Sequence, residues 1–149
     1  METDHTGGPY STDYPAGQTH GNPERPMHQV ARALLTFDLA AEVERLRSEE
    51  SWRQGTRNAK TLVKEPDLRI VLIVMRQGGR MEEHRAPGRL SIQTLTGHLR
   101  LRVRDQTIEL PAGHVLALGP DVAHDVEALD ESAFLLTIAW PARAPQEPG

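Results

Sequence analysis

Apolar positions along this chain change their spacing twice. The opening stretch, METDHTGGPYSTDYPAGQTHGNPERP, holds almost no aliphatic residue. Too little surface can be buried there to offset the entropy of ordering it, so residues 1–28 are expected to form a flexible tail, with His5, His20 and His28 as solvated residues. In TFDLAAEVERLRSEESWRQG, Leu39, Val43 and Leu46 recur at i, i+4 and i+7, the single apolar stripe of a short helix. Asp38 is the expected N-cap and Gly55 the stop, and the large apolar area of Trp52 marks it as an anchor onto the body of the protein.

From residue 59 the period drops to that of strands. AKTLVKE and LRIVLIVMR flank the breaker Pro66-Asp67, and QGGR ends the second run. HLRLRV alternates most cleanly: Leu99, Leu101 and Val103 face one side, and His98, Arg100 and Arg102 the other. TIEL, HVLAL and AFLLTIAW follow, separated by PAG, GPD and LDES. Short strands at such intervals predict an all-β antiparallel sandwich or barrel. The expected organisation is a tail over 1–28, a helical segment over 29–58 packing on the barrel, the barrel over 59–140, and a second tail over 141–149.

Composition narrows the function classes. A chain of 149 residues has room for one core, and 38% hydrophobic with 4% aromatic residues is lean enough to leave part of its length outside that core. A formal net charge of -4 gives no broad attraction to nucleic acid or anionic lipid, and there is no basic, aromatic-interleaved face for direct nucleic-acid binding. With no cysteine, a metal would rest on histidine, carboxylate or amide ligands, and a cytoplasmic setting fits. The longest apolar run, Ile70 to Met75, is far short of the roughly 20 residues of a spanning helix, so no membrane partner is expected. No phosphate loop or nucleophile elbow is present.

Two histidines stand in a recognisable frame. The order Gly78-x5-His84-x-Ala86-x3-Leu90-x6-Gly97 resembles the first motif of the cupin family, G-x5-H-x-H-x3,4-E-x6-G. The order Gly113-x5-Gly119-x-Asp121-x2-His124-x3-Ala128 resembles the second, G-x5-P-x-G-x2-H-x3-N, with Pro120 one place late. The wording EHRAPG…GPDVAHDVEALDESAFLLTIAW is also similar to small single-domain bacterial cupins. That resemblance implies an RmlC-like jelly roll, preceded here by the short helix and the disordered tail. It also implies a homodimer.

In metal-binding cupins two histidines and a glutamate of the first motif join the histidine of the second around a divalent ion such as Zn, Fe, Mn or Ni. Here His84 and His124 match, whereas Ala86 and Leu90 stand where two ligands would be. Glu82 or Glu83 could supply a third ligand from the strand before the turn, Glu82 the better because it shares the strand parity of His84; Gln93 is another candidate, if a bulge turns it inward, and His114 is a weaker one. The other reading is a metal-free pocket in which His84, Gln93 and His124 orient a small molecule among apolar neighbours. A small-molecule-binding protein, sensory or regulatory, follows from the thinned ligand set. The alternative is a metal-dependent dioxygenase or isomerase, and the sequence leaves both open.

Overall fold

The structure, a computed structural model, describes residues 33–141. The expected tails, except residue 141, and with them His5, His20 and His28, lie outside the described residues. Two short helices, α1 (Leu39–Arg47) and α2 (Glu50–Gln54), come first. Nine strands follow among the described residues: β1 (Arg57–Glu65), β2 (Leu68–Met75), β3 (Arg80–His84), β4 (Arg89–Thr96), β5 (His98–Val103), β6 (Gln106–Pro111), β7 (Val115–Leu118), β8 (His124–Ala128) and β9 (Ser132–Ala139). They form two antiparallel sheets, a five-stranded one in the order β1-β2-β9-β4-β7 and a four-stranded one in the order β3-β8-β5-β6.

Alternation decides which side chains meet between the sheets. Val71, Ile73 and Met75 of β2, Ile92 of β4, and Phe134 and Leu136 of β9 face Leu99 and Leu101 of β5 and Val126 of β8 in one buried cluster. The other face of the five-stranded sheet is apolar as well. Leu62, Leu72, Val74 and Ala133 pack there against Val43, Leu46 and Trp52 of the helices. This is why LRIVLIVM is an unbroken apolar run: β2 is buried on both faces.

α1 begins where Asp38 predicts, its carboxylate accepting from Ala41 N at 3.2 Å. A single helix from residue 38 to 54 is not what forms, because the chain breaks at Ser48-Glu49. The break turns Glu49 inward, where its carboxylate accepts from Asn58 Nδ2 at 2.9 Å; the same amide nitrogen donates to Leu46 O, also at 2.9 Å. Beside it Lys60 Nζ meets Glu42 Oε1 at 2.8 Å, with the lysine side chain 3% exposed. Two outward polar residues of β1 thus fasten the helices to the sheet.

The glycines that frame the sequence motifs serve the turns. Gly97 has φ +87°, and a Cβ there would lie 2.3 Å from Ser132 Oγ, so no other residue fits between β4 and β5. Asp121, where the second motif has its second glycine, keeps the left-handed φ of 61°.

Candidate functional site

β8 delivers His124 to the interior by plain alternation: His124, Val126 and Ala128 share one face and are all buried. β3 needs an irregularity to match it. Pairing runs Arg80↔Glu127 and Met81↔Val126, then resumes at His84↔His124 with one extra residue between. Met81 faces the core, so an unbroken strand would put His84 outside with Glu82. The bulge instead sets the His84 ring against His124, with centroids 4.4 Å apart and ring planes at 65°.

The same bulge separates Glu82 from the face that His84 presents, although the two residues share strand parity. Glu82 and Glu83 are both exposed, and the part of Glu82 that reaches His84 is its backbone carbonyl. Gln93 is exposed too: it pairs with Val115 and Leu135 on the outer face of the five-stranded sheet, since β4 alternates regularly there. His114 is exposed in the turn before β7, and His98 lies on the arginine face with Nε2 2.9 Å from Glu109 Oε1. Of the candidate residues, the fold brings together His84 and His124.

Local hydrogen bonds fix the form of both rings. His124 Nδ1 donates to Val122 O at 2.9 Å, and His84 Nδ1 donates to Glu82 O. A carbonyl can only accept, so each neutral ring carries its proton on Nδ1 and its lone pair on Nε2. Burial pushes the pKa of His84 down to about 4; the Glu82 carbonyl opposes this, while His124 and Arg57 add to it. Burial also lowers His124, against its bond to Val122 and the nearby Asp125 carboxylate. Near neutral pH both imidazoles are uncharged acceptors. His84 is half-buried and His124 almost fully so.

The metal set of the resembling family does not fit these residues. Ala86 and Leu90, 2% and 4% exposed, belong to the apolar cluster and offer no donor atom. Among the described residues no three His, Asp or Glu side chains gather as an ion would require. Two imidazoles alone fall short of the three protein ligands of an open catalytic site.

Two further side chains at this end of the barrel have no counterpart in the sequence reading. Arg69 follows the inward parity of Val71 and pairs with Ile138, and its guanidinium carbon lies 5.5 Å from the Trp140 ring centroid. Nothing in LRIVLIVMR marks that arginine as inward, because a strand buried on both faces shows no alternation.

No protein-family model matches the chain, and no curated protein does. Solved structures do. A cupin superfamily protein from Desulfitobacterium hafniense superposes with a TM-score of 0.57 at 19% identity, over 59% of this chain and 81% of that one. A conserved protein of unknown function from Streptococcus pyogenes gives 0.60 at 20%, over 82% of this chain and 100% of the other. A cupin 2 conserved barrel domain protein from Leptotrichia buccalis gives 0.55 at 26%, over 58% of this chain and 42% of its own length. Strand order and these neighbours together give residues 57–139 the jelly-roll fold seen in RmlC-like cupins.

Proposed function

We propose that this cupin domain binds a small organic molecule at the His84–His124 end of its barrel without a metal ion, and that it serves recognition or sensing. The observation that carries this reading is the pair of neutral imidazoles, each held as the Nδ1–H tautomer by a backbone carbonyl, on strands that continue inward to the buried pair Met81 and Val126. A few fixed polar groups in a mostly apolar surround suit an organic ligand better than an ion. Uncharged rings suit an organic ligand that carries polar groups on an apolar frame.

The test uses full-length protein purified without chelators. Elemental analysis is expected to find substoichiometric metal that His84→Ala and His124→Ala leave unchanged. Stoichiometric metal lost in both variants would overturn the reading and return the domain to metal-dependent chemistry. In a thermal-shift screen of small metabolites, ligand shifts are expected to survive chelation and vanish in His84→Ala. Protonation charges the ring, so affinity should hold from pH 8 to about 5 and drop about tenfold per unit as the pH falls below the His84 value of about 4.

A further inference from the structure

Two strands bound each sheet, and three of these four carry devices that discourage another strand from pairing with them. β1 holds Arg57, Lys60 and Lys64 and a bulge between Thr61 and Val63; β3 holds Arg80, Glu82 and Glu83 and its own bulge; β6 holds Glu109 and ends in Pro111. Charge, irregular register and proline are the usual guards of a strand at the margin of a sheet. β7, Val-Leu-Ala-Leu, has none of them, and its Val115 side chain is 62% exposed.

The inner ladder of β7 shows where its backbone points. Thr94 N–H donates to His114 O at 3.0 Å and Gly113 N–H to Thr94 O at 2.8 Å, so Thr94 turns its polar groups toward β7. Alternation gives Ile92 and Leu90 the same direction, and these pair with Leu116 and Leu118. Val115 and Ala117 therefore aim their N–H and C=O groups away from β4, and among the described residues no strand lies on that side. Their side chains stand on the outer face, across from Gln93 and Ser91. The helices and the residues packed with them reach only as far as Leu135 and Leu95, so this margin is left uncovered. It is also uncharged: β4, β7 and β9 hold one charged residue between them, Arg89 at the start of β4.

We propose that β7 is a self-pairing edge, which joins two copies of this chain antiparallel into one sheet of ten strands, five from each. With a two-fold axis at Leu116, Val115 of one copy stands opposite Ala117 of the other, and each such pair exchanges two N–H···O=C bonds. Every outward backbone group of the two residues then has a partner. Charge favours a second copy over a foreign strand: the uncharged margin desolvates cheaply only against an uncharged surface, and symmetry supplies one, while the antiparallel sense holds the two Arg89 side chains at opposite corners. Turns at Ala112-Gly113 and Pro120-Asp121 carry the chain away at both ends and limit the pairing to β7 itself. Four residues a side fall well short of the roughly 20–30 of a standard interface, so the dimer forms and dissociates with concentration, with a Kd on the order of 10–100 μM.

Sedimentation equilibrium of the full-length protein, from about 1 μM to about 1 mM, should show monomer at the low end and dimer at the high end. Ala117→Pro removes an outward N–H that β4 does not use and should abolish the dimer; Val115→Lys charges the edge and should weaken it by at least about tenfold, while Val115→Thr should leave it within about twofold. Amide hydrogen exchange adds a readout that a general loss of stability would not mimic. The Val115 and Ala117 amides should exchange about tenfold more slowly at high concentration, whereas Leu116 and Leu118, bonded to β4, should not change. Should Ala117→Pro fail to fold, Val115→Lys and the exchange comparison decide. A monomer throughout the range, or a dimer that both Ala117→Pro and Val115→Lys leave intact, would overturn the proposal. Slowed exchange at β1, β3 or β6 in place of β7 would overturn it too, because another edge would then join the copies.

Discussion

The two sheets solve the problem of their outer faces in opposite ways. On the five-stranded sheet the outer face is apolar and hidden, with Leu62, Leu72 and Val74 under Val43, Leu46 and Trp52. On the four-stranded sheet it is charged and open. Arg100 meets Glu127 at 3.1 Å, Arg102 approaches Asp125 at 3.9 Å, and Arg80 lies 3.5 Å from Asp125 and 3.7 Å from Glu127. The cross-strand registers Arg100↔Glu127 and Arg102↔Asp125 make this a ladder of opposite charges across β5 and β8. The arginine row is therefore balanced by its neighbours and does not form an anion site. A sheet can be finished by a second layer or by its own charges, and the choice is visible as an unbroken apolar run in β2 and strict alternation in β5.

If the hidden face depends on packing and the open one on solvation, substitutions should rank accordingly. Leu46→Ala, at 1% exposure, should cost about 3 kcal/mol in urea unfolding, since it opens a cavity between helix and sheet. A loss under 1 kcal/mol would mean that the helices contribute little to the fold. Glu42→Ala should cost about 2 kcal/mol because it leaves Lys60 buried beside an uncompensated site, whereas the double variant Glu42→Leu/Lys60→Met should be near neutral or stabilising. Equal losses in single and double variants would show that the pair acts through something other than its charge. Glu127→Ala should change stability by less than about 1 kcal/mol, with the difference shrinking in 1 M salt, because its partners are half in water. A salt-independent loss above 2 kcal/mol would break the contrast between the faces.

Much of the fold could be read from the residues. HLRLRV names β5 from end to end, and the breakers at Pro66-Asp67 and Gly113 fall in turns. What could not be read is where a side chain departs from its default. Lys60 sits on a strand that, taken alone, would show it to water; only the arrival of Glu42 from α1 puts it inside. Ser48-Glu49 breaks the helix because Glu49 is drawn to Asn58, a partner nine residues away whose position depends on β1 being in place. In the candidate site the motif frame led to His84 and His124, whereas Arg69 and Trp140 meet only once β2 and the end of β9 are side by side. Such tertiary placements leave no local period to detect.

The extra residue between Met81 and His84 also bears on how related chains should be lined up. In the regular register the residue opposite His124 would be position 83, so this strand can offer the interior either an acid or an imidazole, depending on a slip of one residue. Deleting Glu83 would not expel the imidazole. It would straighten the strand and bring the same ring to the same partner one residue sooner. A chain with four residues rather than five between that glycine and its histidine would hold an equivalent pair, and an ungapped comparison of the two would wrongly score the histidine as missing.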